Sequence, residues 1–309
     1  MGNRECLVAV VGPTGVGKTR LGVELAESFH GEIISADSMA VYRGMDIGTD
    51  KPGLDARSRV RHHLLDIVDP DREFSVGEFK SLARRAIAQI GDRGHLPILV
   101  GGTALYIRTL LYDYPLASVG SRPALRKALE DEERRCGRGT LHRRLAVIDP
   151  ESAERLHPND LRRIIRALEV HRITGTTMTQ WRNQTPSKPV YPCLLIGLWL
   201  PREDIYRRID ARVDRMFTDG LVEEVRELLQ FYPRLSATAS QALGYREVLS
   251  YLGGSIDFEE CLRLVKRNTR HFAKRQLSWF RREPGIHWIC GESPTRSARE
   301  LVIDWLERC

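Results

Sequence analysis

The stretch Leu7-Val8-Ala9-Val10-Val11-Gly12-Pro13-Thr14-Gly15-Val16-Gly17-Lys18-Thr19 decides how the rest of the chain is read. Its first five residues form a continuous apolar run, the signature of a strand buried on both faces. The next eight fit G-x-x-x-x-G-K-[ST] without a gap, and Arg20 to Phe29 then carries apolar residues at helical spacing (Leu21, Leu25, Phe29). Strand, glycine loop and helix together predict an anion cradle. The glycines Gly12, Gly15 and Gly17 let successive N–H groups of the loop, including those of Thr14 and Val16, turn toward one group. Lys18 adds a point charge, and the Thr19 hydroxyl is placed to hold Mg²⁺. The loop grips a pyrophosphate-like group and does not say which one.

Working outward, short apolar runs alternate with amphipathic ones. Strands are expected at Leu7–Val11, Glu32–Ser35 and Pro97–Val100, with helices over Lys18–Phe29 and Phe79–Gly91. Such alternation predicts an α/β fold with a parallel sheet and right-handed crossovers, here a P-loop NTPase-like core. Asp37 and Thr103, just past two strand ends, should then lie beside the phosphate loop at the carboxyl edge of the sheet. From residue 117 to 189 helical patterns dominate (Pro123–Arg135, Thr140–Ile148, Glu151–His157, Asp160–Thr174), followed by a polar, turn-rich stretch to Pro189. This segment is expected to be an inserted all-helical domain, with residues 1–116 and 190–309 forming the core. Tyr191–Trp199 should return the chain to the sheet. Helices are expected over Arg202–Gly220, Leu221–Phe231 and, long and basic, Asp257–Arg281.

With 309 residues and 42% apolar content, the chain can bury a sizeable core. No run approaches the ~18 apolar residues of a membrane helix. The short stretch before the first strand leaves no room for a signal peptide, and six scattered cysteines show no metal-ligand spacing. A cytoplasmic protein with free thiols and no membrane contact is expected. The net charge is +7, and residues 121–188 alone carry 15 Lys/Arg against 9 Asp/Glu. An excess gathered in one segment points to a polyanionic partner such as nucleic acid.

Three clusters could carry chemistry. In Ser35-Ala36-Asp37-Ser38 a carboxylate at a strand end can act as general base or magnesium partner, or can simply cap a turn. Gly101-Gly102-Thr103 offers close backbone approach and a hydroxyl, or only a tight turn. No Asp ends that strand, which argues against an ordinary ATPase. Arginines recur at i, i+4 (Arg162 and Arg166, Arg208 and Arg212), and Arg270, Lys274, Arg275, Arg281 and Arg282 interleave with Phe272, Trp279 and Phe280. These suit phosphate contacts and base stacking, or a solvated face. Adjacent His62 and His63 point opposite ways along an extended chain and read as structural.

Taken together, GPTGVGKT (12–19), ISADS (34–38), VYRGMDIGT (41–49), HHLLD (62–66), VGGTALY (100–106), HPND (157–160), RALEV (166–170), LGYRE (243–247) and AKRQLSWF (273–280) resemble the bacterial tRNA dimethylallyltransferases (tRNA isopentenyltransferases) in order and over nearly the whole chain. The resemblance implies transfer of a dimethylallyl group from its diphosphate to N6 of the adenosine 3′ to the tRNA anticodon, with Mg²⁺ as cofactor. It makes Asp37, Thr103 and Lys18 catalytic. Gly12 to Thr19 with Arg208 and Arg212 would bind the diphosphate, and Thr19 the metal. It assigns tRNA contacts to Asp37, Ser38, Met39, Ala40, Thr103, Arg126, Arg162, Arg163, Ile164, Ile165, Arg166, Gln241, Gly244, Tyr245 and Arg246, with the helical insertion gripping the anticodon stem-loop of a monomeric enzyme. Two positions depart from the family pattern: Ala40 stands where Gln is common, and Asp50 stands where Ala usually precedes Lys-Pro. Neither is expected to touch the diphosphate site.

Rival readings are a P-loop small-molecule kinase, an adenylate isopentenyltransferase acting on free AMP, and a non-catalytic RNA-binding protein with a relict loop. The basic insertion and the basic C-terminal helix favour tRNA over a mononucleotide.

Overall fold

A computed structural model describes residues 6–114, 122–184, 186, 188–290 and 294–308. Its chain contacts divide it into two compact units: residues up to Leu110 with Tyr191 onward, and Leu111–Val190. The expected boundary at residues 116 and 117 lies outside the described residues.

The first unit holds a six-stranded, all-parallel sheet: β1 (Leu7–Val11), β2 (Gly31–Ser35), β3 (His62–His63), β4 (Leu96–Gly101), β5 (Cys193–Trp199) and β6 (Ile286–Cys290), in the order β3-β2-β4-β1-β5-β6. The apolar run that opens the chain is central. Val8 pairs with Ile98 on one side and Leu194 on the other, and all five residues of β1 are wholly buried. A strand between two neighbours and covered on both faces has no place for a polar residue, hence the unbroken Leu-Val-Ala-Val-Val.

Helices α1 (Lys18–Ser28), α2 (Leu54–Arg59), α3 (Val76–Asp92) and α4 (Ala104–Leu111) belong to the N-terminal half. A capping box between Ser75 and Glu78 starts α3 three residues before the expected Phe79. After β5 come α10 (Arg202–Thr218), α11 (Leu221–Phe231), α12 (Tyr245–Leu252), the 23-residue α13 (Phe258–Phe280) and α14 (Thr295–Leu306). The second unit is entirely helical among its described residues: α5 (Pro123–Cys136), α6 (Thr140–Ile148), α7 (Pro150–Arg155), α8 (Leu161–Thr174) and α9 (Met178–Asn183). Here α9 places a short helix within the stretch expected to be polar and turn-rich. Thr177 and Gln180 form a reciprocal capping box that starts it.

His63 has the structural role expected of it, while His62 gives Nδ1–H to the Val60 carbonyl at 2.8 Å and borders a cavity at the carboxyl edge of the sheet. His63 and His95 each donate to the buried Glu32 carboxylate (2.6 and 2.8 Å), and Arg93 adds a two-pronged contact. Burial would raise the Glu32 carboxyl, but the bonds from Arg93, His63 and His95 outweigh it and hold it at about 2. Among the described residues no helix is long and apolar enough to cross a membrane.

Candidate functional site

The loop Gly12–Thr19 joins β1 to α1 at the carboxyl edge of the sheet. Gly17 caps α1 with φ of 101°, a left-handed conformation that a side chain would strain, so the glycine is required by the turn. Lys18 folds back over the loop and donates Nζ–H to the Pro13 carbonyl at 2.7 Å. Desolvation pulls its ammonium down to about 8; Asp37 and Asp50 counteract this, and Arg212 adds to it. A bound anion would restore the full charge.

One amide of the cradle is already engaged. Thr14 N–H donates to Gln276 Oε1 on α13 (2.8 Å), while Gln276 Nε2–H donates to the Gly102 carbonyl (2.9 Å). A buried side chain thus ties the phosphate loop to the turn after β4. Any Cβ at residue 102 would collide with that amide, which explains the second glycine of Gly101-Gly102. Gln276 carries no local signal of this role.

Two cavities open on this edge. The first, about 440 Å³, is lined by Thr14, Gly15, Gly17, Lys18 and Thr19 of the loop and by Arg208, Arg212 and Arg215 of α10. Gly12, Pro13 and Val16 are buried and line neither this cavity nor the second one. Asp50 and Ala40 also line this cavity. That overturns the expectation that both departures from the family pattern leave it untouched. Asp50 sits in a left-handed turn (φ 54°), which brings its carboxylate within 2.9 Å of Arg212 NH1. Lys51, its neighbour, is committed elsewhere: its buried ammonium lies 2.6 Å from both Asp46 and Asp66.

The second cavity, about 460 Å³, is lined by Asp37, Ser38, Met39 and Thr103, by Gln241 and Arg246, and by Phe272 and Arg275 of α13. Asp37 is both a turn residue and a cavity residue. Its Oδ1 accepts the N–H groups of Met39 (2.8 Å) and Ala40 (3.3 Å), which fixes the orientation of the carboxylate. The Thr103 hydroxyl accepts Ser38 N–H at 3.1 Å, locking the ends of β2 and β4 together. Thr103 lines the second cavity, on whose wall Thr14 of the phosphate loop also lies. Asp37, Thr14, Thr49 and Arg212 line both cavities.

In the segment 241–246 the structure separates the expected contacts. Tyr245 is fully buried and its hydroxyl donates to Glu224 at 2.5 Å; Gly244 N–H donates to Glu247. Their side faces are turned into the protein, leaving Gln241 and Arg246 on the cavity wall.

Within the helical unit, Arg126 forks onto Glu169 (3.0 and 2.9 Å), Arg166 joins at 2.7 Å, and Arg122 N–H at 2.8 Å. Glu169 is wholly buried. Burial would raise its carboxyl, but those donors, Arg126 foremost, hold it at about 2. Arg162 and Arg163 are exposed. Ile164 and Ile165 are corrected: both pack into the unit's core with Leu141, Leu145 and Leu168, because a helix carrying arginines outward needs apolar residues inward.

No trio of His, Cys, Asp or Glu is gathered for a metal among the described residues. Oxygen donors in the first cavity that suit Mg²⁺ include the exposed Thr19 hydroxyl on the first turn of α1 and the carboxylates of Asp37 and Asp50. That fits an ion held chiefly by water and substrate phosphates.

A family model described as IPP transferase matches residues 40–283. The tRNA dimethylallyltransferase of Symbiobacterium thermophilum is 50% identical over 299 residues, 96% of this chain and 93% of that protein. That of Carboxydothermus hydrogenoformans is 49% identical over 301 residues, 97% and 96%. Among solved structures, a tRNA isopentenylpyrophosphate transferase from Bacillus halodurans superposes with a TM-score of 0.74 at 40% identity, covering 99% of this chain and 98% of its own. A eukaryotic dimethylallyltransferase acting on tRNA gives 0.81 at 29% identity, covering 98% and 80%.

Proposed function

This chain belongs to the IPP transferase family, and from that premise we propose that it moves a dimethylallyl group from dimethylallyl diphosphate to N6 of the adenosine 3′ to the anticodon of tRNA. The observation that carries the reading is Asp37 on the wall shared by two cavities. One is rich in cations and phosphate-loop amides; the other is lined by Phe272 and Arg275, suited to a base.

An adenine amine is a weak nucleophile, since its lone pair is delocalised into the ring. Bond formation at C1 of the donor must be matched by loss of the N6 proton and departure of diphosphate. Asp37, held by Met39 and Ala40, receives that proton from the acceptor side, a contribution on the order of 10²–10⁴ in rate. On the donor side the free loop amides, Lys18, Arg208 and Arg212 meet the charge that develops on the leaving group. Mg²⁺, held by Thr19, supplies further neutralisation of that diphosphate when bound. Thr103 serves the acceptor side by fixing Ser38 beside Asp37. The target base reacts only once unstacked, and an anticodon loop, being single-stranded, lowers that cost. Arg162 and Arg163, with Arg126 and Arg166 around Glu169, give the helical unit a phosphate-binding face for the anticodon stem-loop. A cytoplasmic, monomeric enzyme is consistent with this substrate.

Incubation with tRNA and dimethylallyl diphosphate, followed by nuclease digestion and mass spectrometry, should show one adenosine heavier by a single C5H8 unit. ATP-dependent phosphorylation, or modification of free AMP in place of tRNA, would contradict the reading.

A further inference from the structure

Arg212, which faces the leaving diphosphate in the transfer chemistry above, is paired with Asp50, to which that chemistry gives no role. Arg212 is 16% exposed and its Nε–H, buried in the cavity wall, has no hydrogen-bond acceptor among the described residues. Its NH1 reaches Asp50, whose side chain is 54% exposed. The guanidinium is therefore fixed and under-used, while the carboxylate stands half in water and can return to it at little cost.

We propose that Asp50 sets the affinity of the phosphate-loop cavity for pyrophosphate by holding the Arg212 guanidinium that an incoming anion needs. The inference rests on reading that cavity as the donor site. A diphosphate entering beside Lys18 offers several charged oxygens to Arg212, including an acceptor for the orphaned Nε–H, and outcompetes one carboxylate. When diphosphate leaves, Asp50 takes the guanidinium back, so the same residue that weakens donor binding assists release of the product.

The test is calorimetric titration of inorganic pyrophosphate into the full chain and into Asp50→Asn, with magnesium and with a chelator. Asn tolerates the left-handed backbone at residue 50 and preserves shape, so only the charge changes. Binding should tighten about three- to fivefold in both conditions, and the gain should vanish in an Arg212→Gln background. Unchanged or weaker binding in Asp50→Asn overturns the proposal, as does a loss confined to magnesium, which would make Asp50 a metal ligand. A gain that persists in full without Arg212 also overturns it. If the native protein binds no pyrophosphate, the donor-site reading itself falls and takes this inference with it.

Discussion

Gln276 accepts the Thr14 N–H at 2.8 Å across 262 residues of chain, so the phosphate loop is held by the helix that also lines the second cavity. Gln276→Met keeps the length and removes both hydrogen bonds, stranding the Thr14 N–H and the Gly102 carbonyl. The expected result is a rise of about tenfold in KM for the donor, and a loss of about 1–3 kcal/mol in unfolding free energy. Steady-state kinetics with denaturant unfolding checks both.

That contact also marks the limit of what the sequence reveals. The phosphate loop was legible because its function is local: eight consecutive residues make the cradle. Asp37 and Thr103 were legible because a parallel sheet delivers its strand ends to one edge. Gln276 was not, since its partners are backbone atoms 262 and 174 residues away. Asp50 was misread because its reach to Arg212 depends on a left-handed turn that no periodicity encodes. The α9 capping box, Thr177 to Gln180, was present in the sequence and hidden by its polar surroundings.

Lys18 gives a pH dependence. Desolvation pulls its ammonium down to about 8, and in the proposed donor site it binds the diphosphate as the cation. Raising pH through 8 therefore removes the binding form, and kcat/KM for the donor should fall by about tenfold per unit above it. Below 8 this limb is flat. Bound diphosphate raises the Lys18 pKa, so kcat at saturation should bend at higher pH. In Lys18→Arg the limb should disappear at a lower overall rate, because Arg stays charged.

Glu32 links stability to acid. Its folded pKa of about 2 lies below the usual 4.5, so its contribution is complete above about 4.5 and is lost as pH falls toward 2. Glu32→Gln should cost about 2 kcal/mol at pH 7, since it removes the charge and one of the two acceptor oxygens that Arg93, His63 and His95 share, while two of these partners remain partly in water. Thermal unfolding at pH 7 and pH 3 should show the difference between variant and native shrinking in acid.

Arginines of the helical unit that stand in water and those paired with the buried Glu169 should behave differently. Arg162→Ala should weaken tRNA binding and reduce the slope of log K against log salt by about 0.7–0.9, with unfolding unchanged. Arg126→Ala should also lower stability, because it takes the principal partner from a buried carboxylate. Filter binding at several salt concentrations, beside thermal melts, separates the two effects.

The most direct test of the account is Asp37→Asn, measured for single-turnover transfer and for tRNA affinity together. Asn keeps the Oδ1 acceptor for Met39 and Ala40 N–H and removes only the basicity. With Asp37 as the base between the two cavities, the transfer rate should fall by about 10²–10⁴ while the tRNA dissociation constant stays within about twofold. A transfer rate within about threefold of native would contradict the central role given to Asp37.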